Sequence, residues 1–125
     1  MIKQDLSTRA DIELLVNSFY DKVRANEILG VIFNDIAKVD WEDHLPKMYS
    51  FWSSILLGEH SYSGRPMKVH IDLSKKATMN EAAFNEWLTL FHQTVDELFS
   101  GTTAETAKTR SVHIARNMIY KIQKA

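Results

Sequence analysis

Cysteine is absent from the 125 residues. That excludes disulfides, thiolate zinc sites, cysteine-ligated iron–sulfur clusters and any cofactor attached through thioethers. Proline and glycine are scarce, two and four residues, and three of these six fall between Gly58 and Pro66. So few helix breakers outside one segment favour long helices. An excess of either charge is also missing: 15 basic and 16 acidic side chains leave a formal charge of −1. Neither nucleic acid nor an anionic membrane surface is therefore an expected partner. No apolar run reaches membrane-spanning length. The polar opening MIKQDLSTRADIE holds no apolar signal-peptide core, so a cytoplasmic location is expected. Repeats, low-complexity tracts and linkers are missing too, and one domain over 1–125 is the expectation.

What remains is apolar periodicity, with 45% hydrophobic residues. A helix starting near Ser7 or Thr8, with Asp11 as capping-box partner, carries the stripe Ile12, Leu15, Val16, Phe19, Tyr20 and Val23 and ends near Asn26. A short element follows, with Ile32, Phe33 and Ile36 facing inward. A second helix carries His44, Met48, Phe51, Trp52 and Ile55 along one face. Pro46 places its regular start near that residue, with Asp40 or Asp43 as cap, His44 at its mouth and Gly58 as its stop. From Gly58 to Met79 the pattern is irregular yet apolar, too heavy for a linker and in need of something to pack on. A third helix runs from a cap at Asn80 to about Ser100, with Phe84, Trp87, Leu88, Phe91, Val95 and Leu98 inward and Gly101 as its C-terminal cap. The last begins at Thr102, with Glu105 completing a capping-box pattern and Ser111, Ile114, Ala115, Met118, Ile119 and Ile122 on one face. The fold class is all-α, with many large aromatic rings for so small a core.

The five histidines stand at 44, 60, 70, 92 and 113. No two share a helix face at i, i+3 or i+4, so a zinc or di-iron grip is not expected. Gly-x-Ser-x-Gly and Gly-rich phosphate loops are absent, which leaves hydrolase and nucleotide-binding readings without support. His60, His92 and His113 read as surface or boundary residues. His70, in RPMKVHIDL, has two readings. One is a hydrogen-bonded, partly buried histidine. The other is a single axial ligand to a metal whose cofactor supplies the remaining ligands, as haem does. Tyr20 and Trp87 similarly read either as core residues bonded to nearby carbonyls or, with His44, as donors from three helices converging on a small electron-rich ligand.

Four stretches, FYDKVRANEILGVIF, WEDHLPKMYSFWSSILLG, YSGRPMKVHIDL and FNEWLTLFHQTVDELF, resemble the truncated haemoglobins, and within them the group III branch. The resemblance runs from about Leu14 to Met118. The absence of glycine-pair motifs is similar to group III, and Val31 stands where the L-G-P-I-F pattern carries proline. The resemblance implies a two-over-two helical sandwich around a b-type haem, iron protoporphyrin IX. It implies His70 as the proximal iron ligand and Tyr20, His44 and Trp87 as distal residues around O2 or another diatomic ligand. Phe19, Phe33, Met48, Phe51, Trp52 and Met118 would line the haem, with Arg65 and Lys68 near its propionates. His44 would act as a gate between pocket and solvent. Two or three donors on the ligand would slow its release, which fits scavenging, sensing or ligand chemistry better than delivery. Two other functions compete. One is a haem enzyme with peroxidase or nitric oxide dioxygenase character, which would need an unidentified reductase. The other is a haem-free helical interaction module.

Overall fold

The computed structural model describes residues 3–31, 41–58 and 81–124, with side chains as far as Asn117. Four long helices make up the described residues, and no strand occurs among them: α1 Arg9–Ala25, α2 Trp41–Leu57, α3 Glu81–Leu98 and α4 Thr102–Lys124. None of them is long and apolar enough to cross a membrane. α1 packs on α2 and α3, α3 packs on α4, and α4 reaches back to α2. The pairs α1/α2 and α3/α4 are the two layers of an all-α, two-over-two arrangement.

α1 forms as its periodicity requires. Thr8 accepts from the Asp11 amide at 3.2 Å, and the Asp11 carboxylate accepts from the Thr8 amide at 3.1 Å. Ile12, Leu15, Val16, Phe19, Tyr20 and Val23 are all buried. The helix ends at Ala25, and the Asn26 side chain then accepts from the amides of Ile28 and Leu29, starting the next turn.

α2 departs from expectation at its start. It begins at Trp41, five residues before Pro46, so His44 lies within the first turns and not at their mouth, and Asp43 lies inside the helix where it caps nothing. Pro46 lacks the amide that would bond to the Glu42 carbonyl. Both residues are exposed, where water can replace a lost backbone bond, and the helix continues through. Glu42 and Asp43 add negative charge to the first turn, which favours it further. Gly58, at φ +71°, ends the helix as expected.

The α3/α4 corner also differs from expectation. α3 ends at Leu98, and Gly101 caps the start of α4 instead of the end of α3. The first amides of α4 are met by a residue from the far end of the chain. Asp5 accepts from Thr103 at 2.9 Å and from Ala104 at 2.8 Å, while Glu105 N–H donates to the Gly101 carbonyl at 3.0 Å. Glu105 therefore completes no capping box, and its carboxylate pairs with Lys108. Gly101, at φ +143°, is required twice over: a Cβ there would fall 2.5 Å from the Asp5 carboxyl carbon.

Phe91 stands at the centre of the core. Its ring stacks on Trp52 of α2 (4.9 Å, 19°) and on Trp87 of α3 (5.8 Å, 8°), and Phe19 of α1 meets it edge-on (5.2 Å, 86°). One residue thus ties three helices through aromatic geometry. Val31, which stands where the pattern carries proline, is exposed.

Candidate functional site

Tyr20 and His44 meet in the interior. Tyr20 is 2% exposed and His44 8%. Tyr20 is placed by the inner stripe of α1. His44 is placed by the early start of α2, which brings its ring toward α1. His44 Nε2 lies 3.3 Å from Tyr20 Oη, and the rings meet edge-on at 5.2 Å. Either the phenol donates to the imidazole or the imidazole N–H donates to the phenol, according to tautomer. Burial pushes the Tyr20 phenol well above its ordinary pKa, so it keeps its proton and remains a donor.

Aromatic and apolar groups surround this pair. Phe19 packs on Tyr20 at 4.8 Å and meets Trp87 edge-on at 5.4 Å. Trp87, 6% exposed, is therefore linked to Tyr20 through the Phe19 ring. Met48, Phe51 and Trp52 continue along α2, all buried, with Phe51 edge-on to Trp52. Of the residues singled out in the sequence, Phe19, Tyr20, Met48, Phe51, Trp52 and Trp87 belong to one continuous core, and His44 is buried against Tyr20. Phe33, Arg65, Lys68 and His70 lie outside the described residues, as does the side chain of Met118. The short element at 32–36 and the irregular segment after Gly58 lie outside them as well.

The other two described histidines lie at the boundary and the surface. His113 is exposed, and His92 is half-buried, its Nε2 within 3.1 Å of Ser111 Oγ and 3.2 Å of the Lys108 carbonyl. No cluster of three potential metal-ligating side chains occurs among the described residues.

Two residues at this site were not singled out from the sequence. Trp41 packs on both members of the pair, 5.3 Å from Tyr20 and edge-on to His44 at 5.7 Å. The Arg24 guanidinium lies 4.7 Å above the Trp41 ring. A helical signal existed for both. Arg24 is i+4 from Tyr20, and Trp41 is i−3 from His44. The second relation disappears if α2 is started at Pro46.

A family model described as bacterial-like globin matches residues 4–121. A group 3 truncated hemoglobin of Campylobacter jejuni is 32% identical, over 96% of this chain and 97% of that protein. The chain belongs to the bacterial-like globin family, among the group III truncated haemoglobins. The crystal structure of the group III truncated hemoglobin from Campylobacter jejuni matches this globin with a TM-score of 0.83 at 31% identity, covering 97% of this chain and 95% of that one. Membership implies haem as the cofactor of this globin and a diatomic molecule as its ligand class.

Proposed function

We propose that this globin binds haem b through His70 and holds O2, or another diatomic ligand, tightly on a polar side made by Tyr20, His44 and Trp87. Such a protein suits ligand scavenging or ligand chemistry better than delivery. The observation that carries the reading is the buried Tyr20–His44 pair, 3.3 Å apart inside aromatic walls. The donor set suits a haem site. A phenol held protonated and an imidazole project from two helices, where an apolar interior has little other use for them.

When bound, haem would supply an iron able to coordinate one protein imidazole and a diatomic ligand. His70 provides that imidazole in this reading. Phe19, Phe33, Met48, Phe51, Trp52 and Met118 would line the macrocycle and exclude water, and Arg65 and Lys68 would meet its carboxylates. Tyr20 keeps its proton and donates its O–H toward the ligand's partial negative charge. His44 would donate from a ring nitrogen, and the Trp87 indole can donate only. Hydrogen bonds to charged groups contribute roughly 1.5–3 kcal/mol each. Each ~1.4 kcal/mol changes an affinity about tenfold, so one such donor slows release by roughly ten- to a hundredfold.

Stopped-flow measurement of O2 dissociation from Tyr20→Phe tests the distal half. Release is expected to quicken by about tenfold or more on that scale, and an unchanged rate removes Tyr20 from ligand binding. Absorbance spectra test the other half. His70→Ala is expected to lose tight haem, with imidazole added to the buffer restoring an axial-histidine spectrum, and a normal spectrum without imidazole refutes the assignment.

A further inference from the structure

The groups around His44 form an ordered series from core to solvent. Tyr20 Oη lies innermost, bonded to His44. The rings of Tyr20, His44 and Trp41 form a triangle with centroids 5.2–5.7 Å apart, and His44 meets both of the others edge-on (84° and 83°). Trp41 is half-buried, and its outer side carries the Arg24 guanidinium. Arg24 is itself fixed at two points on α1: its Nε donates to the Tyr20 carbonyl at 3.4 Å, and a terminal nitrogen pairs with Asp21 at 3.3 Å. The Arg24 and Asp21 side chains are 36% and 75% exposed, so the series ends in water.

We infer that Trp41, held by Arg24, is a positioning residue that latches His44 inward against Tyr20. Leaning on the reading of His44 as a distal residue, the inference assigns the control of its swing to two side chains that touch no ligand. The physical basis is geometric. An imidazole on the first turns of a helix reaches solvent by rotating about χ1, and Trp41, one turn earlier on the same face, occupies space beside it. Arg24 bridges α1 to the α2 indole by a cation–π contact, so Trp41 moves only if that contact breaks. Contacts of these types bias a two-position side chain by roughly three- to tenfold.

Carbon monoxide, bound to the haem-loaded ferrous protein, is the probe. Its association rate after flash photolysis reads access, and its infrared stretching band reads whether donors face the ligand. Trp41→Leu is expected to speed association by roughly three- to tenfold and to add a second band from molecules with His44 turned outward. Trp41→Phe, which keeps a ring, should restore most of the original rate and band. Arg24→Gln, at a partly exposed position that threatens folding little, should move both readouts the same way by a smaller factor.

His44→Leu separates the two levels of the inference. If it changes rate and band while Trp41→Leu and Arg24→Gln leave both at wild-type values, the latch is wrong and the distal role of His44 stands. If His44→Leu itself changes neither, the reading of the distal pocket fails and the latch with it. Trp41→Leu in the His44→Leu background should add nothing. A full additional effect there would show that Trp41 acts on access by itself, which also overturns the inference.

Discussion

Tyr20 carries a hydroxyl in a place where a phenylalanine would pack with less desolvation. Its only route to that burial is to remain neutral, and the raised pKa expresses the cost of ionising it. An acid whose folded pKa lies above its unfolded value stabilises the fold fully below the unfolded value. That contribution is lost as pH rises past it. Alkaline unfolding followed by circular dichroism should therefore begin near pH ~10, where an unfolded phenol titrates, and Tyr20→Phe should lose less stability between pH ~10 and ~12 than the parent protein. An identical alkaline profile would show that the phenol is not isolated from water as described. The inward position of Tyr20 was legible in the sequence because a helical stripe fixes a face. Its bond to His44 was not, since periodicity places a residue on its own helix and says nothing of the residue opposite.

Among the elements, α1 was the most legible, because its capping box, stripe and end are all local. The start of α2 was misread for a local reason as well. Pro46 disfavours the helix one turn back, but Pro46 and Glu42 are both exposed, a fact set by tertiary burial. The cap of α4 could not be read from local sequence at all, since Asp5 is 98 residues from Thr103. Partial burial opposes ionisation of the Asp5 carboxyl, yet amide donors from Thr103, Ala104 and Leu6 together outweigh it and hold the pKa below the ordinary value. The stability this provides is present above the unfolded pKa and lost as pH falls through the folded one. Asp5→Ala should cost about 1–2 kcal/mol in urea unfolding at neutral pH, the usual penalty for losing a helix cap. The difference from the parent should shrink below pH ~4, where an unfolded Asp takes up its proton. Gly101→Ala should destabilise by more than ~1 kcal/mol, because it introduces both a positive-φ side chain and a clash with Asp5.

Across the whole molecule, the N-terminal arm and the aromatic centre do different work. Asp5, with the Gln4 carbonyl accepting from Ser100 at 3.0 Å and Lys3 donating to the Asp96 carbonyl, fastens the arm over the α3/α4 corner. Phe91 closes the contact of α1, α2 and α3 from within. Phe91→Ala should cost about 3–5 kcal/mol, a large fraction of the ~5–15 kcal/mol typical of a domain. A much smaller loss in urea titration would mean that Trp52, Trp87 and Phe19 collapse into the space.

The sequence by itself determined that the chain is all-α, which faces of its helices point inward, and that its motifs are those of the truncated haemoglobins. These follow from local propensity, from a period of about 3.6 residues and from residue identity, all of which are linear properties. Only the tertiary structure decided that α2 begins before its proline, that Asp5 caps a helix at the other end of the chain, and that Trp41 and Arg24 stand behind His44. Each of those depends on which surfaces are buried against one another, and burial is settled only when helices distant in sequence come to share one core.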